Sequence, residues 1–137
     1  MHLFRIAGAA LLVVLAGAPL AAGHHSFFAQ FDSSQPITIE GSVARVEWRN
    51  PHIWVFLDVT GSDGTVTRWQ CEGGAPNALT RQGWTRDTMA VGGTLEIFGY
   101  RAINGSNVCN ARTWTYEGRT VLAGQANDGG PNPDVPR

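Results

Sequence analysis

The chain has 137 residues, of which 43% are hydrophobic and 15% are charged. It contains no lysine, and its ten arginines are balanced by 11 carboxylates, giving a formal net charge of −1. A protein that binds nucleic acid usually presents a basic face to the phosphates, so this class of partner is disfavoured.

The first 23 residues have the three-part pattern of a signal peptide. Arg5 lies in a short n-region, an uncharged run follows, and Ala21 and Gly23 supply the small residues that precede a cleavage site. Pro19 near the end of this run favours processing over a membrane anchor. We therefore expect a periplasmic or secreted protein that begins at His24, has the length of one domain and has no stable membrane insertion.

Alternating apolar residues predict three strands in the first half of the mature chain, over residues 37–48, 52–60 and 65–72. Gly41 in the first strand suggests a bend or bulge that lets one strand serve two sides of a small barrel. A Ser-Asp-Gly turn joins the second strand to the third as a hairpin.

The second half begins with a change of period that predicts a short helix over residues 76–81. Two further strands are predicted over residues 94–100 and 108–116, and residues 119–122 could add a short sixth. Three strands, a helix and two strands is the element order of an OB fold. We therefore expect an all-β, OB-like small barrel over residues 24–122 with its short helix between strands three and four.

From residue 123 the composition shifts to Gly, Asn, Asp, Gln and Pro. Such a segment has few side chains that could pack into a core, so a flexible C-terminal tail is predicted over residues 123–137.

The two cysteines, Cys71 and Cys109, are expected to form a disulfide. An exported chain enters an oxidising compartment, and strands three and five of an OB barrel are neighbours, which sets the two residues within bonding reach. A thiolate metal site is the alternative, but the chain lacks the CxxC spacing typical of one.

Three histidines remain after the leader, and together they suggest a metal site. A terminal His24 would offer its amine and its Nδ1 to one ion, and His52 could add a third nitrogen in the arrangement called a histidine brace. Copper suits such a set because Cu(II) accepts planar nitrogen ligands and lies at the top of the divalent affinity order, although zinc or nickel could also bind. His25 is the alternative third ligand, and it requires a bend because consecutive side chains of an extended segment point to opposite sides.

The same residues also have a structural interpretation. An exposed His24–His25 pair can be solvated polar surface, and His52 can serve only to cap the Asn50-Pro51 turn. A copper oxidase or monooxygenase is less favoured, because the tryptophans that could form a substrate surface lie in strand patterns typical of packing.

Several spaced motifs resemble one family of exported bacterial proteins, DUF6152, over nearly the whole mature chain. They are His24-His25-Ser26-Phe27, Gly41-Ser42-Val43, Val46-Glu47-Trp48, Asn50-Pro51-His52, Pro76-Asn77-Ala78-Leu79, Gly83-Trp84-Thr85-Arg86-Asp87, Gly99-Tyr100-Arg101 and Asn110-Ala111-Arg112. The resemblance implies a bacterial, periplasmic location. It implies no activity, so the metal hypothesis rests on the chemistry of the histidines.

Taken together, these observations favour binding or delivery of a copper ion through His24 and His52, with His25 as an additional or alternative ligand and a periplasmic protein as a further partner. The alternative is a metal-free binding or adaptor module that uses the barrel face or rim for a small molecule, a glycan or a partner protein.

Overall fold

The computed structural model describes residues 26–124 and 128–131. This part of the chain forms six strands and two short helices, so the predicted all-β class is confirmed. In chain order the elements are α1 (Phe27–Gln30), β1 (Phe31–Glu47), β2 (Trp54–Thr60), β3 (Val66–Glu72), α2 (Pro76–Thr80), β4 (Thr94–Ala102), β5 (Val108–Tyr116) and β6 (Arg119–Leu122).

The strand pairings follow the order expected of an OB fold. The sheet runs β3-β2-β1-β4-β5-β6, and a further, parallel pairing joins β3 to β5. The other pairings are antiparallel. Strands β1, β2, β3, β5 and β4 therefore pair in a closed circuit, with the short helix α2 between β3 and β4 in the chain as predicted.

The long strand β1 pairs with β4 through its first part and with β2 through its last part. Its register with β2 shifts at Ala44, the extra residue of a β-bulge. The predicted bend at Gly41 thus lies just before the observed bulge. Glycine has a separate role there, because a Cβ at Gly41 would lie 2.6 Å from the carbonyl oxygen of Asp58 on β2.

The core lies between the inward-facing residues of the strands. Val55 and Leu57 have no exposed surface, as the alternation of β2 predicts. Leu79 on α2 and Trp84 after it are also fully buried, and the Trp84 ring lies 6.0 Å from that of Trp114 on β5. The connection between β3 and β4 therefore contributes to the core.

A second apolar cluster includes residues that precede the predicted first strand. Phe27 on α1 and Phe31 at the start of β1 are buried against Tyr100 and Ala102 of β4. This short helix and the early start of β1 were not predicted. The burial of Phe27 depends on a strand far away in the chain, which no local pattern reveals.

The predicted disulfide is confirmed. Cys71 and Cys109 are register partners on the parallel pair β3 and β5, with Cα atoms 4.5 Å apart, and both are fully buried. The bond closes a loop of sequence separation 38, which by chain entropy contributes about 4 kcal/mol to stability.

Two described residues of segment 123–137 are buried against the domain. Ala123 has no exposed surface, and Asp128 is buried beside Arg112. Composition did not indicate this packing; the flexibility of the other tail residues stays a prediction. The leader, His24 and His25 lie outside the described residues. Within the described residues, neither helix is long and apolar enough to cross a membrane.

Candidate functional site

His52 is held beside the end of β3 by its neighbour in the chain. The amide of Ile53 donates to the carbonyl of Gly74 at 3.0 Å, and the amide of Gly73 donates to the carbonyl of Ile53 at 2.7 Å. Ile53 is fully buried, whereas the His52 side chain is 21% exposed. These contacts place the imidazole next to Glu72, the last residue of β3.

The His52 ring hydrogen-bonds to Glu72 through Nδ1 and Oε1. The Glu72 side chain is 12% exposed, so the pair is partly shielded from water. A carboxylate can only accept, so Nδ1 of His52 is the donor and carries the proton. In the neutral ring the lone pair then belongs to Nε2, the form in which an imidazole binds a metal ion through that nitrogen.

The His52–Glu72 pair lies on the outer face of the barrel. Cys71 faces the core, so the next residue, Glu72, points outward. Register partners share a face, and Glu72 pairs with Asn110 of β5, which pairs in turn with Tyr100 of β4. Glu72, Asn110 and Tyr100 thus form an outer row across three strands.

The middle residue of this row is a buried polar group. Asn110 is 3% exposed, and its Oδ1 has no hydrogen-bond partner among the residues that the structure describes. Such an oxygen usually bonds to protein or to ordered water. Asn110 lies between Glu72 and Tyr100, so the outer row is polar at one end and aromatic at the other.

The N-terminal segment approaches the aromatic end of the outer row. The Phe27 ring meets that of Tyr100 edge to face, with centroids 5.4 Å apart, and the Arg112 guanidinium lies 4.7 Å from the Phe27 centroid. The amide of Phe27 donates to the carbonyl of Asp128 at 2.9 Å. The chain that leads back to His24 therefore starts from this face of the barrel.

At this place the described residues bring together one histidine and one carboxylate. His52 and Glu72 are together, but no group of three His, Cys, Asp or Glu side chains that could hold a metal ion occurs within residues 26–124 and 128–131. The cysteines considered as thiolate ligands are joined in the disulfide. A site with three protein ligands would need donors from outside the described residues.

Beyond His52, the outer face of β1, β2 and β3 carries paired charges. Glu47 accepts from Arg45 and Arg49 at 2.8 and 2.7 Å. Asp58 accepts from Arg68 at 2.5 and 3.0 Å, and this hydrogen bonding lowers the pKa of the Asp58 carboxyl below its ordinary value.

A separate cavity of about 490 Å³ opens at the end of α1 and the loop between β4 and β5. It is lined by Ala29, Gln30, Phe31, Ala102, Ile103, Asn104, Ser106 and Val108. Its volume is within the range of small-molecule pockets.

Sequence reasoning found His52 and missed Glu72, Asn110, Arg112 and Asp128. Glu72 had a usable signal, since it follows Cys71 on a strand whose alternation predicts that it points outward. Asp128 had none, because it lies in a segment rich in glycine and asparagine.

The chain belongs to a family of unknown function, DUF6152, whose model matches residues 11–111. His24, His25, His52 and Glu72 lie within the matched residues, and Asp128 lies beyond them. No curated protein and no solved structure matches the chain.

Proposed function

We propose that this protein is exported to the periplasm and binds a transition metal ion, with copper preferred, through a processed N-terminus. His24 would supply its amine and its imidazole, and His52 would supply Nε2. The observation that carries the proposal is the His52–Glu72 hydrogen bond, which lies on the face that the N-terminal segment approaches.

The chemistry of the donors fits this assignment. A carboxylate that accepts from Nδ1 fixes the ring orientation and the tautomer of a metal-ligating histidine, and it raises the basicity of the other nitrogen. Two imidazoles and one amine would form a three-nitrogen set, which suits Cu(II) by geometry and by the affinity order. His25 is the alternative to His52 as the third donor.

The cellular location has two supports. The N-terminal sequence has the pattern of a signal peptide, and the buried Cys71–Cys109 disulfide is typical of proteins from oxidising compartments. A leader must be removed for His24 to acquire a free amine, so export and metal binding are parts of one hypothesis. The proposed role is binding or delivery of the ion.

The test compares mature protein that begins at His24 with protein that carries one extra alanine before it. Copper titration should show that the extension weakens binding, because it moves the terminal amine off His24. The variants His52→Ala and His25→Ala identify the third ligand, and electron paramagnetic resonance counts the nitrogens on Cu(II). Circular dichroism confirms that each variant is folded.

Equal copper affinity in the native and the extended protein would refute the N-terminal site. An unfolded His52→Ala variant would assign a structural role to His52, and a copper spectrum without nitrogen couplings would exclude an imidazole set.

A metal-free binding module is the second candidate, and the cavity of about 490 Å³ beside Ile103 favours it. Ile103 is 55% exposed, which leaves an apolar side chain at the rim of that cavity. A screen of small molecules against the metal-free protein, with Ile103→Asp as the blocking variant, tests this function separately. Binding that survives the N-terminal extension and is lost in Ile103→Asp would favour the module over the metal protein.

A further inference from the structure

The cavity of about 490 Å³ lies between two walls that are joined by the backbone. One wall is the end of α1 with the start of β1, and the other is the loop 103–107 with the ends of β4 and β5 beside it. The amide of Ile103 in the loop donates to the carbonyl of Gln30 in α1 at 2.9 Å. This hydrogen bond ties the two walls to each other, so the cavity is bounded by segments that are held together.

The loop 103–107 is also held in shape by Arg101 of β4. The Arg101 guanidinium donates to the carbonyls of Gly105 and Ser106 at 2.5 and 3.0 Å. It donates as well to Oδ1 of Asn107 at 3.0 Å. Gly105, whose φ of +74° suits glycine, donates its amide to the carbonyl of Ala102 at 3.0 Å. These bonds give the loop a preformed surface, and a preformed surface binds a ligand with little loss of conformational freedom.

The lining of the cavity is apolar on the strands and polar on the loop and the helix end. Phe31 and Ala102 are 4% and 8% exposed and belong to the second apolar cluster. Val108 lines the cavity beside them. The polar side chains of the lining come from three residues, Gln30, Asn104 and Ser106. A ligand here would therefore contact both an apolar surface and hydrogen-bonding groups.

Asn104 and Ser106 are bonded to each other, which decides what they offer to a ligand. Oδ1 of Asn104 accepts from the amide and the hydroxyl of Ser106 at 3.0 and 2.7 Å. The Ser106 hydroxyl thus uses its proton within the loop and offers lone pairs, whereas Nδ2 of Asn104 is a donor. A ligand hydroxyl, which both donates and accepts, complements this pair.

None of the described residues that line the cavity has an ionisable side chain. Asp32 and Arg101 are next to lining residues in the sequence, but both are engaged elsewhere. Asp32 accepts from the amide of Ser34 and from Nε2 of Gln35 at 2.8 and 2.9 Å, and Arg101 donates to the loop. A charged ligand would lose hydration in the cavity without gaining an opposite charge. The lining therefore favours an uncharged ligand.

We propose that this cavity binds an uncharged, mainly apolar compound that carries a hydroxyl group, such as a phenol or an aromatic alcohol. The apolar part of the ligand contacts Phe31 and Ala102, and the hydroxyl bonds to Asn104 and Ser106. The inference rests on the second candidate function, the metal-free binding module, and names the class of molecule that the module takes. No histidine takes part in it, so copper titration tests the proposed metal site separately.

The experiment titrates the metal-free protein with three probes of nearly equal size. Naphthol is uncharged, naphthoate is an anion and naphthylmethylammonium is a cation. Nuclear magnetic resonance follows the backbone amides, and those of Ile103 and Ser106 should shift in a saturable way with naphthol. The two ions should bind at least about tenfold more weakly, because the lining offers no opposite charge.

Two matched variants locate the binding site. Ile103→Asp and Val91→Asp both place a carboxylate on an exposed apolar position, since Ile103 is 55% exposed and Val91 is 74% exposed, but Val91 does not line the cavity. Ile103→Asp should weaken naphthol binding about tenfold because an apolar contact is lost, and Val91→Asp should leave it unchanged. Ser106→Ala should weaken it about 2–10-fold, the effect of one hydrogen bond. Circular dichroism confirms that each variant is folded.

The possible results separate this inference from the function on which it rests. Equal affinity for naphthol and either ion would overturn the ligand class and leave the binding module standing. Naphthol binding that survives Ile103→Asp would overturn the cavity as the site, and unchanged affinity in Ser106→Ala would overturn the hydroxyl contact. If no probe binds, the ligand class fails, and the wider screen of small molecules then decides the second candidate function by itself.

Discussion

Replacing Glu72 tests whether the carboxylate prepares His52 for a metal ion. Glu72→Gln keeps a hydrogen-bond acceptor for Nδ1 but removes the negative charge, and Glu72→Ala removes both. In each case the N-terminal donors of the proposed site are unchanged. The two variants therefore separate the effect of charge from the effect of ring orientation.

The expected loss of copper affinity follows from the burial of the His52–Glu72 pair. Its side chains are 21% and 12% exposed, so the hydrogen bond is charge-assisted and partly desolvated. Losing an outer carboxylate partner of a metal-ligating histidine costs about 10–100-fold in affinity, or about 1.4–2.8 kcal/mol. We expect Glu72→Gln to weaken copper binding by about 10-fold and Glu72→Ala to weaken it by about 100-fold.

The assay is competition of mature protein against a copper chelator of known affinity. Glu47→Gln is the matched control, because Glu47 and Glu72 both lie beside Trp54 on the outer face and the Glu47 side chain is 22% exposed. Glu47 pairs with arginines instead of a histidine, so copper affinity should not change. If Glu72→Ala binds copper like the parent while His52→Ala does not, the argument that Glu72 orients the ligand is refuted.

Three further predictions concern stability. Replacing both Cys71 and Cys109 with alanine should lower the free energy of unfolding by about 4 kcal/mol, measured by urea denaturation, and addition of reductant to the variant should then have no effect. Gly41→Ala should cost about 1–3 kcal/mol because its Cβ would meet the Asp58 carbonyl, and a thermal midpoint equal to that of the parent would contradict this close approach. Asp58 has a lowered pKa in the folded protein, so its stabilising effect is present at neutral pH and is lost as pH falls below its ordinary value of 3.8. The difference in free energy of unfolding between the parent and Asp58→Asn should therefore become smaller between pH 4 and pH 2. A difference that becomes larger on acidification would contradict the prediction.

Local sequence patterns were sufficient to predict most of the strands. The period-2 alternation of β2 follows from the geometry of a strand with one buried face, so Val55 and Leu57 could be assigned to the core without a structure. Element order implied the pairing of β3 with β5, and that pairing placed Cys71 beside Cys109. The bend or bulge of β1 was predicted at Gly41, whereas the register shift lies at Ala44, three residues later.

The candidate site depended on contacts between distant parts of the chain. His52 could be named from its residue type, but its partner Glu72 is 20 residues away and is selected by the pairing of β2 with β3. Helix α1 is a single turn, which is too short to be stable without the packing of Phe27 on Tyr100.

By itself, the sequence determined the all-β class, the disulfide and the histidines as candidate ligands, because each follows from residue type and local period. Only the tertiary structure decided which charges are buried together and which segments meet. Arg112 and Asp128 carry no local signal for pairing, because a buried ion pair is defined by the surroundings that exclude water from it.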